Sequence, residues 1–461
     1  MKELSLKRKV DITDGPILKS VIAYAFPIML GALVQVGFNA ADLMVVGQMG
    51  SETAVASVGA VSPIVNLLIN SFIGLSAGVN AVLARCIGRG DTSRVTRIVN
   101  TATIFSVAFG FILMAGCLLF SRPMLAMTNC PENCFEGAVL YLGIYSLSIP
   151  FVMLYNFAAA IIRTTGDTRN PFVYNVIAGI GNVVLNIVLC LTLESKVAAV
   201  AIATSASQAI GAILCFVHLL RMDGACSFNV KRLSFSFSEL WAIIKIGAPC
   251  AFNSALFSAS NLQMYSAINA YGEVATAGNA AAVSAEGFTG AFTTGINSAI
   301  IPFVGQNLGA GNKKRVSRSI LCCFLLSCCV GFAAGYTMFL LRNQVLSLYL
   351  GSGSEAIYYG ATRMTYVARF YVIGATYSVF SAALQAFGYS FIPMINSILT
   401  VFVFRIIWLE FIYPVLDAVE HTISNVYVCF TISWSLTFIA HFSVFLFVYL
   451  RYLKTGKVKR I

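Results

Sequence analysis

The chain has 461 residues, of which 58% are hydrophobic and only 10% are charged, and its mean hydropathy is +0.83. Soluble domains are about 45–50% apolar and about 25% charged, so this composition excludes a soluble protein and indicates an integral membrane protein. Runs of about 20 apolar residues, the length that crosses a hydrocarbon core, recur from end to end and leave no room for a soluble domain.

The N-terminal segment MKELSLKRKVDITDG is charged and precedes a long apolar run without a signal-peptide cleavage motif. We interpret this segment as a retained cytoplasmic tail. Hydropathy then predicts an all-α fold with twelve transmembrane helices. These spans are expected at 17–46, 53–84, 95–121, 134–161, 171–192, 197–220, 240–270, 274–305, 316–341, 355–386, 393–414 and 422–450.

Basic residues are distributed unevenly about these spans. Of the 30 Lys and Arg, 24 fall on the side of the N-terminus, three fall opposite and three lie inside spans. The positive-inside rule therefore predicts a multi-pass protein of the cytoplasmic (inner) membrane with both termini in the cytoplasm. The net charge of +12 then reflects topology, and no nucleic-acid partner is predicted.

The 13 cysteines lie mostly inside apolar spans, where thiols behave as small hydrophobic groups. Cys130 and Cys134, in the outward loop CPENC, are the exception. A disulfide is chemically feasible there, whereas zinc would need two further ligands that the loop lacks.

The sequence repeats itself at a shift of about 221 residues. The segment GRGDTSRVTR at 88–97 matches GAGNKKRVSR at 309–318, and with a one-residue gap Asn39 matches Asn261. The repeat unit is six helices, which predicts an N-terminal lobe at 1–225 and a C-terminal lobe at 226–461. Two pseudo-symmetric bundles around a central cavity are typical of alternating-access transporters, although a duplication without transport gives the same repeat.

Two predicted helices carry polar stripes on one face. On the first helix the stripe comprises Gln35, Asn39 and Asp42. On the fifth helix it comprises Asn175, Gly179, Asn182 and Asn186. Polar groups in a span rarely face lipid. A desolvated carboxylate among amide and hydroxyl oxygens can take up a proton or help to coordinate Na⁺, and the sequence does not choose between these ions.

The C-terminal repeat lacks these polar groups. Asp42 maps to Met264, and the two asparagines of the fifth helix map to Phe404 and Trp408. This difference predicts a cation site in the N-terminal lobe and an aromatic surface in the other lobe. Drift between the repeats and a structural role for Asp42 are the alternatives.

Other charges inside spans have more than one interpretation. Glu286 either faces the cavity and attracts a cationic substrate or forms a local hydrogen bond. Arg363 and Arg369 either extend to the interface or pair with Glu286. Arg405 and Glu410 are five residues apart, which is not the spacing of an ion pair on one α-helix.

The sequence has no phosphate-binding G-x-x-x-x-G-K-[ST] loop and no H-E-x-x-H motif. Neither ATP drive within the chain nor an enzymatic site is predicted, and no cofactor or structural metal is expected.

Several motifs resemble the multidrug and toxic compound extrusion (MATE) transporters, and the resemblance covers essentially the whole chain. The motifs are GLSAGVNAVLARCIGRGD after the second helix, RTTGDTRNP at 163–171, NVVLNIVL at 182–189 and FVGQNLGAGNKKRV at 303–316. The resemblance implies an antiporter, coupled to H⁺ or Na⁺, that exports amphipathic and mostly cationic small molecules. It also implies a monomer in contact with membrane lipid.

The resemblance places the coupling ion at a carboxylate of the first helix, with polar groups of helices four to six around it. The residues at these positions are Asp42, Asn182, Asn186, Thr204 and Tyr141, with Tyr145 as the alternative tyrosine. The predicted substrate cavity includes Glu286, Asn175, Asn261 and Met264. Some relatives carry a glutamate in the seventh helix, but residues 246–270 contain no acid, which makes a second ion site doubtful.

Alternatives to drug efflux are a lipid-linked oligosaccharide flippase of the same superfamily and a membrane receptor or channel without transport activity. A flippase is expected to have a strongly basic cavity for pyrophosphate, and only three basic residues lie in the spans.

Overall fold

The computed structural model describes residues 10–49, 52–126, 132–229, 233–456 and 458–459, without the side chains at 39–49, 52–55 and 133. Helices account for 87% of the structure, and the described residues contain no strand. In chain order the helices are α1 (Ile17–Met49), α2 (Glu52–Arg89), α3 (Thr92–Ala126), α4 (Glu132–Ser146), α5 (Ile149–Thr164), α6 (Arg169–Thr192), α7 (Lys196–Arg221), α8 (Phe237–Asn269), α9 (Glu273–Gly309), α10 (Lys313–Leu340), α11 (Arg342–Leu350), α12 (Ala356–Tyr366), α13 (Tyr371–Ala386), α14 (Phe391–Val419) and α15 (Ser424–Thr455).

Apart from the short helix α11, which lies between two predicted spans, these helices correspond to the twelve predicted spans. Among the described residues, nine helices are long and apolar enough to cross a membrane, and the count is 11 when the bent pairs α4–α5 and α12–α13 are each one span. The remaining span is α9, whose 37 residues are rich in Ala, Gly, Asn and Thr and therefore less apolar.

The spans predicted as single helices at 134–161 and 355–386 are each broken by a bend of 47°. In the first span, Pro150 is the second residue of α5; proline lacks an N–H and therefore cannot continue the hydrogen bonding of the preceding helix. The second break contains no proline. There the Thr431 hydroxyl of α15 donates to the Tyr366 carbonyl at the end of α12, which supplies a partner from a neighbouring helix.

The backbone preserves the repeat that the sequence predicts. The breaks are equivalent, because α5 begins at Ile149 and α13 begins 222 residues later at Tyr371. Gly90 and Gly311, which the repeat aligns, both have φ of 72° and form the turns after α2 and α9. Glycine adopts this conformation readily, so both repeats form the same tight turn at this position.

The same repeat governs the packing beside each break. A Cβ on Gly110 of α3 would lie 2.7 Å from the Cα of Pro150, and one on Gly331 of α10 would lie 3.4 Å from the Cα of Val372 and 2.8 Å from the Ala375 Cβ. Each glycine therefore lets a helix approach the backbone of the bent span.

The described chain forms two compact units. Unit 1 comprises Gly31–Gly247 with the segment that ends at Val10, and unit 2 comprises Asp11–Leu30 and Ala248–Ile461. The first part of α1 thus belongs to unit 2, and the first part of α8 belongs to unit 1. The lobe boundary at 225/226 comes from the sequence repeat and stays a prediction.

Two repeat-related arginines hold the first turn of α8 and the segment before α1. In unit 1, Arg94 Nε donates to both carboxylate oxygens of Glu239 at 3.0 and 3.1 Å. In unit 2, Arg315 donates to the carbonyl oxygens of Asp14 and Gly15. The first turns of α3 and α10, which carry these arginines, therefore anchor other segments of the same unit.

The packing of Gly110 predicts a position-specific effect of adding one methyl group. Gly110→Ala should lower the free energy of unfolding by about 1–3 kcal/mol, because the methyl group would overlap the backbone of Pro150. Gly116→Ala in the same helix is the matched control: it meets open space and should be neutral or stabilising by up to about 1 kcal/mol. Thermal unfolding in detergent measures the difference, and equal melting temperatures for both variants would contradict the packing argument.

Candidate functional site

The polar stripe of α6 faces the interior of unit 1. Asn182 and Asn186 are buried, and Asn186 Nδ2 donates to Asn182 Oδ1 at 3.2 Å. The exposed apolar side chains of the helix are Val173, Ile177, Ile180, Val184, Ile187, Val188 and Leu191. The helix is therefore amphipathic in the sense that a membrane requires, with amides inward and aliphatic groups outward.

The second part of α1 lies beside α6. Asn175 Nδ2 donates to the Gly31 carbonyl at 3.5 Å, and Gly179 faces the Phe38 ring so closely that a Cβ has no room. The two helices that carry the polar stripes are thus neighbours in unit 1. Gln35 is exposed on α1.

The predicted ligands Asn39 and Asp42 lie in α1, but their side chains are outside the described part of the chain. Their roles stay predictions.

Two further predicted ligands lie in unit 1 on other helices. Thr204 Oγ1 of α7 is buried and has no hydrogen-bond partner among the described residues, so this oxygen is available to a ligand. Tyr141 and Tyr145 of α4 are both buried, and their rings stack with centroids 6.3 Å apart. Either tyrosine fits the prediction for this helix.

The repeat counterparts of the predicted ion site lie together in unit 2. Met264 and Trp408 are buried members of one apolar cluster, and Phe404 packs against that cluster. The Phe404 and Trp408 ring centroids are 5.9 Å apart. Positions related to Asp42, Asn182 and Asn186 by the repeat therefore meet in one place.

Glu286 of α9 forms an ion pair with Arg363 of α12. Arg363 donates from Nε and Nη2 to the two carboxylate oxygens at 3.0 and 2.8 Å, and from Nη1 to Asn279 Oδ1 at 3.1 Å. Arg363 was expected either to extend to the interface or to pair with Glu286, and the structure shows the pairing. Arg363 thus balances the negative charge of Glu286, and the contact of Glu286 with substrate stays a prediction.

Arg405 is a buried charge whose partners could not be read from the sequence. Its Nη1 donates to Asn261 Oδ1 at 2.9 Å and to Ser260 Oγ at 3.2 Å, and its Nε donates to Ser433 Oγ at 3.4 Å. These partners lie on α8 and α15. Glu410 is exposed. The signal available in the sequence was the presence of an arginine within a span, which is rare enough to require an explanation.

Among the described residues, no group of three or more His, Cys, Asp or Glu could hold a metal ion. Cys134 is buried, but Cys130 lies outside the described ranges, so the disulfide stays a prediction.

Comparison with known proteins identifies the family. The sequence profile of the MatE family matches residues 27–192 and 249–409. The Bacillus subtilis "Probable multidrug resistance protein YpnP" is 23% identical over 86% of this chain and 88% of its own length. A Shewanella oneidensis "FAD transporter" is 25% identical over 68% of this chain and 71% of its own.

Solved structures show the same fold. A structure described as the outward-facing conformation of a multidrug resistance MATE family transporter of the MOP superfamily has a TM-score of 0.88, with 21% identity, covering 97% of this chain and 99% of that one. MATE structures have twelve transmembrane helices in two lobes, which confirms the predicted fold class.

The profile match covers both repeats, and members of the matched family are transporters rather than enzymes. The resemblance seen in the sequence motifs is confirmed: this chain belongs to the MatE family of multidrug and toxic compound extrusion transporters.

Proposed function

We propose that this chain is a multidrug antiporter of the cytoplasmic membrane that exchanges H⁺ or Na⁺ for amphipathic, mostly cationic small molecules. The observation that carries the proposal is the contrast between the repeats. Asp42, Asn182 and Asn186 in one repeat correspond to Met264 and two aromatic residues in the other, and the apolar counterparts form one cluster in unit 2.

The contacts between α1 and α6 support a shared site. Gly31 meets Asn175, and Phe38 meets Gly179. Helix α1 is the first predicted span and α6 is the fifth, so both helices cross the membrane in the same direction. Asp42 follows Phe38 by about one helical turn, and Asn182 follows Gly179 by nearly one turn. Continuing both helices brings Asp42 level with the asparagine pair.

The chemistry of these groups suits a small hard cation. Burial of a carboxylate favours its protonated form, whereas amide and hydroxyl oxygens around it favour a coordinated Na⁺. Tyr141 and Thr204 would complete the site from α4 and α7. Loading the site neutralises Asp42 and changes which arrangement of the surrounding helices is favoured.

Transport then follows from alternating access between two six-helix lobes with both termini in the cytoplasm. The ion enters from outside and favours release of the drug, and the inward-open state discharges the ion and takes up another drug molecule. The exchange requires that the bound ion lower the affinity for drug and the bound drug lower the affinity for the ion, because coupling between two ligands is reciprocal.

Replacement of Asp42 tests the site. In proteoliposomes with an imposed H⁺ or Na⁺ gradient, Asp42→Asn should reduce counterflow of a fluorescent organic cation to the level of protein-free vesicles, because an amide neither titrates nor carries charge. Glu410→Gln is the matched control, since it removes an exposed carboxylate from another span and should keep most of the activity.

Separate proton and sodium gradients identify the coupling ion in the same assay. Full gradient-driven efflux by folded Asp42→Asn would contradict the assignment of the site.

The ion pair in unit 2 predicts an effect on stability. Glu286→Gln should lower the free energy of unfolding by about 3–5 kcal/mol, because it leaves Arg363 buried without a counter-charge. The double variant Glu286→Gln/Arg363→Met should recover most of this loss in thermal unfolding. No loss in the single variant would contradict the pairing.

The transport activity of the double variant decides the substrate role of Glu286. If the double variant exports substrate normally, Glu286 has no role in substrate binding. If its stability is restored but efflux is lost, Glu286 takes part in substrate binding.

A further inference from the structure

Arg405 keeps one edge of its guanidinium group unused. The residue exposes 1% of its surface, and its hydrogen bonds come from Nε and Nη1. The Nη2 group has no hydrogen-bond partner among the described residues. Because a guanidinium group presents five N–H donors in a planar fork, the two N–H groups of Nη2 are left for a ligand.

The charge around Arg405 is not balanced by the described residues of unit 2. Its hydrogen-bond partners Asn261, Ser260 and Ser433 are neutral, and no described carboxylate forms an ion pair with it. The neighbouring carboxylate of Glu286 is occupied by Arg363. Arg363, Arg405 and Glu286 together therefore carry one positive charge in excess within the membrane-spanning part of unit 2.

The guanidinium group is held in a fixed orientation. Its central carbon lies 4.5 Å from the centroid of the Phe430 ring, and that of Arg363 lies 4.8 Å from the same ring. Two π-helical segments of α14, Ile398–Val403 and Trp408–Ile412, flank Arg405; such segments occur often at functional sites. An arginine oriented in this way matches the planar geometry of an oxyanion.

We propose that the Nη2 edge of Arg405 is the group that binds the carboxylate when a zwitterion is transported. This inference rests on the proposed transport function, because alternating access exposes a buried group to substrate in one state and covers it in another. The bound carboxylate supplies the missing counter-charge.

A pair of matched probes tests the proposal. Tetramethylrhodamine is a zwitterion with a free carboxylate, and its methyl ester is a cation with the same ring system. Fluorescence anisotropy gives the Kd of each for the purified full-length protein in a non-ionic detergent without phospholipid, so that no lipid phosphate competes. The wild-type protein should bind the zwitterion about tenfold more tightly than the ester, as expected for a charge-assisted hydrogen bond.

Variants assign this preference to Arg405. Arg405→Gln should weaken binding of the zwitterion about tenfold and change the Kd of the ester less than twofold, and Arg405→Lys should retain part of the preference. Arg369→Gln is the matched control, because Arg369 is an exposed arginine of unit 2 that contacts Phe339 and Phe370 and should leave both Kd values unchanged.

Three outcomes overturn the proposal. They are equal weakening of both probes in Arg405→Gln, no weakening of either, and a wild-type protein that binds the ester as tightly as the zwitterion. The last result needs no variant and holds even if Arg405→Gln does not fold. Binding of the ester without preference for the zwitterion would refute the anion site alone, whereas binding of the zwitterion without the ester would refute cation export alone.

Discussion

The interior of a membrane-spanning chain must satisfy its own polar groups, because lipid offers no hydrogen bonds. Each buried polar group described here follows from that constraint. The Asn182–Asn186 pair bonds to itself, Arg363 takes both oxygens of Glu286, and Thr431 bonds the carbonyl at the end of α12. A buried polar atom without a hydrogen-bond partner among the described residues, such as Thr204 Oγ1, is available to a bound ligand.

Duplication of the six-helix unit explains the backbone features that the two repeats share, and their divergence explains the difference in their buried polar residues. Both repeats keep the left-handed glycine after their second helix, the bend in their fourth span and the glycine that packs beside it. What differs is the buried polar content. The first repeat has amides on α6, and the second has two arginines with one glutamate. We therefore propose that the N-terminal lobe binds the coupling cation and that the C-terminal lobe binds an anionic group of the substrate.

The sequence predicted the features that depend on local pattern. Span positions follow from hydropathy, and the turn glycines at 90 and 311 follow from the repeat. The bend near Pro150 has a local cause, whereas the equivalent bend near Tyr366 involves a hydroxyl from α15. The partners of Arg405 lie 144 or more residues away on α8 and 28 residues away on α15. Such contacts depend on which helix faces come together, which spacing along one helix does not specify.

The asymmetry of the repeats limits the coupling-ion site to one lobe. Ion stoichiometry on the purified protein distinguishes one site from two, by equilibrium binding of radioactive Na⁺ and by proton release when an organic cation binds in weakly buffered solution. We expect saturation at one ion per chain, whether the ion is Na⁺ or H⁺. Saturation at two ions per chain, one for each repeat, would refute a site in one lobe alone.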